Sequence, residues 1–313
     1  MPSNQHPLLN KNLCLLIICQ GLFLTNNVTF IAINGLVGFS LAPLSWMATL
    51  PVMGYVVGAA FSTSLVAKSQ NHFGRKISFQ LGLLVAAFSA LLCAYAAFSK
   101  NFWLLVIGTF IAGYYSANGQ LYRFAAAELT EVSQRDKAVS WVLAGGILGA
   151  VIGPNLASWT RNIFETAFLG AYLTLSIAAV MGMLVMQFIH FPEEFKTQHT
   201  LSDGRPLNVI LRQPVFFVAV IGAALGYGVM NLLMAATPLA MQICGLPFSD
   251  TALVLEWHVI GMFAPGFFTG ALIQRFGALK IMGVGVSLNF LCIFIALSGN
   301  DLHQFFKIGR AHV

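Results

Sequence analysis

Residues 138–159 read AVSWVLAGGILGAVIGPNLASW. The stretch carries no charge, and a helix of this length covers about 33 Å, close to the roughly 30 Å hydrocarbon layer of a bilayer. Gly145, Gly149 and Gly153 recur at every fourth position. They therefore share one helix face and let a neighbouring backbone come close. Pro154 follows at once and lacks an amide hydrogen, which predicts a bend at this point. A charge-free helix striped with glycine and bent by proline needs other helices around it and lipid outside them, and this decides the fold class.

The rest of the chain agrees. Hydrophobic residues make up 58% of the 313 residues and charged residues 8%; a water-soluble domain carries about 25% charge. The five cysteines (Cys14, Cys19, Cys93, Cys244 and Cys292) have neither metal-ligand nor disulfide-scaffold spacing, so no metal, cofactor or bridge is expected. The N-terminus has one lysine, Lys11, ahead of a long apolar run, which reads as a retained span and not as a signal peptide.

Runs long enough to span occur at about 13–34, 46–67, 77–98, 102–122, 138–159, 166–189, 214–237, 251–273 and 280–298. They are continuous and not alternating, which favours helices over a membrane barrel. With the N-terminus inside, Lys11, Lys68, Arg75, Lys76, Arg123, Arg135, Lys137, Lys196, Arg205, Arg212, Arg275 and Lys280 fall on the inner side, and Lys100 and Arg161 on the outer. That bias predicts a cytoplasmic N-terminus. It also accounts for the net charge of +6 without nucleic acid. Residues 190–213 are polar, contain Pro192 and Pro206, and separate six runs (1–189) from three (214–307). A short amphipathic piece at 205–213 is the alternative to a plain linker. Phe73-Gly74 after the second run and Phe276-Gly277 after the eighth hold equivalent places if each half has six helices.

Residues 67–76 read AKSQNHFGRK. Together with Gly-x-x-x-Gly-Pro in the fifth run, this resembles the major facilitator superfamily, whose loop after the second helix reads Gly-x-Leu-x-Asp-Arg-x-Gly-Arg-Arg. Gly74, Arg75 and Lys76 match; Ala67 stands for the first glycine and Asn71 for the aspartate. The resemblance implies an all-α polytopic fold, with nine of the twelve helices usual in the family. It also implies alternating-access transport, a gating role for the 67–76 loop and an antiporter-like fifth helix. Leu156 and Ala157 replace that signature's glycine pair, and Thr109 stands where many members carry an arginine. A bacterial inner-membrane protein, acting as a monomer, is the expected setting.

Candidate site residues are polar groups at depth. Asn26 and Asn27 in the first run, Asn231 in the seventh, and Tyr114, Tyr115, Asn118 and Gln120 in the fourth offer amides and aromatic faces with few charges. They suit an uncharged or weakly charged small organic solute with a planar part. Arg123 and Glu128 are about 140° apart on one helix, so each is expected to pair elsewhere or to reach the interface, as gating or structural groups. Glu256, beside Trp257 and His258, is the clearest intramembrane acid of the second half. It is the proton-coupling candidate, with His258 as a second, against the alternative of an interfacial anchor.

Histidines and acids do not cluster as a membrane enzyme would need, no phosphate-binding Gly-Lys loop supports an ATP-driven pump, and no repeated filter supports a channel. Residues 308–313 (IGRAHV) resemble translated sequencing adapter. The expectation is a C-terminally truncated transporter fragment.

Overall fold

The structure, a computed structural model, describes residues 10–131, 134–191, 207–265, 268, 272–273 and 275–297. Pro192, Lys196, Arg205, Pro206, Gly266, Gly270 and the 308–313 tail lie outside them, and with them most of the expected central linker. All regular elements among the described residues are helical. They are α1 (Lys11–Leu41), a 3-10 turn (Ser45–Met47), α2 (Leu50–Phe98), α3 (Phe102–Gly119), α4 (Tyr122–Glu128), α5 (Arg135–Thr160), α6 (Leu169–Gln187), α7 (Leu207–Leu211), α8 (Pro214–Ile243), α9 (Phe248–Phe263) and α10 (Ala278–Leu297).

Local chemistry sets several boundaries. The Asn10 side chain accepts from the Leu13 amide at 2.8 Å and opens α1, and Asn101 does the same for α3 at Leu104 (3.0 Å). Pro214 sits in the first turn of α8, where a missing amide hydrogen costs nothing.

The expectation of nine spanning helices is corrected. Among the described residues five segments are long and apolar enough to cross a membrane: Lys11–Leu41, Ser45–Phe98, Lys137–Thr160, Leu169–Gln187 and Pro214–Ile243. The physical reasons are local. The runs at 46–67 and 77–98 join into one element across Gly74, whose φ of 81° and ψ of 172° break the helix internally. Such a φ is open to glycine and strained for other residues. In α3 the apolar run is diluted by Ser116, Asn118 and two tyrosines, α9 has 16 residues, and the apolar part of α10 is Leu279–Phe294.

Both arms of α2 lie against α3, Gly54 and Gly58 on the first arm and Gly82 and Cys93 on the second, so the chain folds back at Gly74. Helix α1 runs through the centre and contacts α2, α3, α5, α6 and α8. It threads two apolar cores. One gathers Phe30, Tyr55, Leu105 and Tyr172 with Phe248 and Leu255 of α9; the other gathers Leu13, Phe23, Phe79, Tyr122 and Met186. Helix α9 packs on α5, with Phe263 near Gly146, and its Phe248 meets Phe168 at the start of α6. Helix α8 meets α1 near Gly35 and Ala235, and buries Met234, Thr237, Pro238 and Met241 there. In its earlier half, among the described residues, nothing comes within 4 Å of a Cβ built on Gly222, Gly226 or Gly228.

Candidate transport site

On α1 the residues Gln20, Phe23, Asn27, Phe30 and Asn34 follow a three-four spacing and form one seam. Tyrosines from four helices meet this seam. Phe23 packs edge-on to Tyr115 (5.4 Å) and Tyr122 (6.0 Å), and Phe30 lies against Tyr55 (5.5 Å) and Tyr172 (6.0 Å). Asn27 donates to the Tyr55 hydroxyl at 2.9 Å, and the Tyr172 hydroxyl donates to Asn34 at 2.6 Å. Amides at this depth need such partners, since water is scarce.

The pairing is incomplete. Gln20 Oε1, Asn26 Nδ2 and Asn34 Nδ2 are buried with no hydrogen-bond partner among the described residues. Ser116 lies beside the Tyr55 hydroxyl, and Tyr227 of α8, half exposed, lies within electrostatic reach of it. One turn further on, Asn231 donates to the Tyr227 carbonyl at 2.9 Å, and its buried Oδ1 has no partner among the described residues. Asn27, Tyr55 and Ser116 thus belong to α1, α2 and α3, and Tyr227 and Asn231 to α8. Asn26 is fully buried, one position from Asn27. Tyr114 is half-buried and Gln120 exposed at the end of α3. Asn118 donates to the Ser78 carbonyl at 2.8 Å and packs over Gly82, which makes it a strut between α3 and α2.

A second group lies toward the start of α1. Arg75 binds Glu128 of α4 through two nitrogens, Nε to Oε2 at 3.1 Å and Nη2 to Oε1, and also reaches Gln70. Lys76 donates to the Gln187 carbonyl at 2.6 Å, at the C-terminus of α6 where a cation is favoured. Asn71, at the place of the motif's aspartate, is exposed. The acid that meets Arg75 comes from α4. Arg123 is exposed and lies over the Phe124 ring at 4.9 Å.

The glycine stripe of α5 faces α1. A Cβ on Gly145 would meet the Ile17 carbonyl at 2.8 Å, and one on Gly149 the Thr25 amide at 2.6 Å. The Thr29 hydroxyl donates to the Gly153 carbonyl at 2.9 Å. Past Pro154, Asn155 donates to Glu256 of α9 at 2.8 Å and to the Val151 carbonyl at 2.7 Å. His258 is buried, about 200° further round α9.

Tyr55, Ser116, Asn155, Tyr172 and Tyr227 escaped the sequence reading. Asn155 had a visible signal, an amide directly after Gly-Pro in an apolar run. The tyrosines had none, because their partners are distant in sequence.

The sequence and the fold resemble those of known proteins. Residues 13–306 match the family model described as Major Facilitator Superfamily. The riboflavin transporter RfnT of Brucella anthropi is 36% identical over 94% of this chain and 75% of its own length. The uncharacterized MFS-type transporter YddS of Bacillus subtilis is 25% identical over 88% of this chain and 67% of its own. Among solved structures, a D-xylose-proton symporter superposes with a TM-score of 0.67 at 16% identity, covering 96% of this chain and 80% of that one. A partially occluded, inward-open form of the xylose transporter XylE from E. coli gives 0.66 at 15% identity, covering 95% and 83%. At these identities the structures speak for the fold alone; the family model and the riboflavin-transporter relative carry the assignment, and the chain belongs to the Major Facilitator Superfamily.

Proposed function

We propose that the solute is a planar, uncharged heteroaromatic molecule of the riboflavin type, held between the Asn27–Tyr55–Ser116 group and the facing Tyr227–Asn231 pair. The protein is a multi-pass membrane protein and a secondary transporter, moving a small organic solute by alternating access; it is not an enzyme. The observation that carries the solute reading is a site of phenols and carboxamides with no fixed charge, in a chain 36% identical to a riboflavin transporter. Phenol rings stack on a flat ring system, and amides with spare donors and acceptors read its polar edge.

Within this proposal residues 1–189 and 214–307 form the two moving parts. The N-terminus faces the cytoplasm of a bacterium, and a monomer suffices. Protons are the coupling ion, and Glu256 carries them.

Titration of the purified chain in detergent with riboflavin tests the solute. Quenching of flavin fluorescence is expected, with binding weakened about 5- to 10-fold in Asn27→Ala and Tyr55→Phe, the worth of one hydrogen bond. Absence of quenching, or displacement of the flavin by xylose, would overturn the reading.

A further inference from the structure

We infer that Asn34 and Tyr172 form a second contact point for the solute, a subsite that reads hydroxyl groups on a side chain of the flat ring system. The inference rests on the reading of the solute as a riboflavin-type molecule, and adds the residues that select its hydroxylated tail.

Helix α1 places the pair. Asn27 and Asn34 are seven positions apart, so they share the seam and lie about 10 Å from each other along the axis. Each meets one phenol, Asn27 that of Tyr55 and Asn34 that of Tyr172. The Phe30 ring packs against both phenols, at 5.5 and 6.0 Å, and joins the two pairs. Helix α8 gives the same order. Tyr55, the partner of Asn27, lies within electrostatic reach of Tyr227. Eight positions further on in both helices, a Cβ on Gly35 would come within 3.5 Å of the Ala235 carbonyl. Between these points α1 and α8 run side by side in one direction, with the proposed ring site at one end and Asn34 beside the contact at the other.

The chemistry of the pair suits a hydroxyl group. The Tyr172 hydroxyl donates to Asn34 Oδ1 at 2.6 Å, which restrains the amide. Asn34 Nδ2 carries two N–H donors and has no partner among the described residues. The Tyr172 oxygen, having given its proton, keeps acceptor lone pairs. Donor and acceptor thus belong to one hydrogen-bonded pair. An aliphatic hydroxyl is itself both, so a single one can accept from Nδ2 and donate to the Tyr172 oxygen. A carbonyl or ring nitrogen uses half of the pair, and a methyl group none. Asn34 and Tyr172 are 1% and 0% exposed. Unmet amide donors are costly at such burial, so a hydroxyl carried in by the solute binds where the amide lacks a partner.

The experiment compares two flavins. Riboflavin carries the hydroxylated chain; lumiflavin is the same ring system with a methyl group in its place. Quenching of flavin fluorescence reads the binding of each to the full chain in detergent, unaltered and as Asn34→Ala and Tyr172→Phe. The unaltered chain should prefer riboflavin. In each variant the riboflavin dissociation constant should rise about 5- to 10-fold, the worth of one hydrogen bond, and that of lumiflavin by less than about twofold. Asn27→Ala, at the ring site, should weaken both flavins. Retained lumiflavin binding shows that a variant is folded, and Tyr172→Phe, which removes one atom, decides the matter should Asn34→Ala fail to fold. Equal losses for the two flavins, or no loss for either, would overturn the subsite and leave the solute reading standing. Quenching by neither flavin in the unaltered chain would overturn the solute reading itself, and the subsite with it.

Discussion

Arg75 and Glu128 show how much a single residue's role depends on a partner the sequence does not reveal. They are 53 positions apart, and each was legible as a candidate gating charge. Their pairing was not, because the motif's own acid position holds Asn71 and the acid arrives instead from α4. With side chains 25% and 14% exposed, the pair is partly screened. Arg75→Ala should destabilise the protein by about 1–3 kcal/mol through the unpaired carboxylate it leaves, read as a lower apparent melting temperature in detergent. The exchanged pair Arg75→Glu with Glu128→Arg should recover part of that loss; no recovery would mean that Gln70 or the backbone matters more than the ion pair. Asn118 teaches the converse. Its depth was legible and its use was not, since the Ser78 carbonyl that takes its hydrogen bond lies on another helix.

At the scale of helices, equal spacing does not mean equal packing. Gly145-Gly149-Gly153 and Gly222-Gly226 have the same period in sequence. The first set is pressed against α1, while among the described residues nothing comes within 4 Å of a Cβ built on the second. Gly149→Ala should therefore cost about 1–3 kcal/mol by overpacking, whereas Gly222→Ala should change stability by less than about 0.5 kcal/mol. Thermal unfolding of both variants in one detergent checks the contrast, and equal shifts would contradict the packing described for α5. Helix identity was legible because apolar runs and caps act locally. The number of spanning segments was not, because a hydropathy run cannot say whether Gly74 ends a helix or bends it. Nor can it say how far Ser116 and Asn118 dilute α3.

For the whole molecule, the family could be read from two short motifs, Gly74-Arg75-Lys76 and the Gly-x-x-x-Gly-Pro of α5. The way α8 and α9 lean on α1 and α5 could not, since it depends on contacts such as Gly35 with Ala235. Orientation in the membrane is testable through Cys244, exposed at the turn after α8. With the N-terminus in the cytoplasm, a membrane-impermeant maleimide added to intact cells should label Cys244; labelling confined to inverted vesicles would reverse the orientation. The half-anchored state of α8 has a mechanical consequence. Ala235 is a fulcrum, and the stretch back to Pro214 is a lever arm of about 30 Å, at 1.5 Å per residue. Any tilt at that contact grows with distance along the arm, so the end near Pro214 travels furthest.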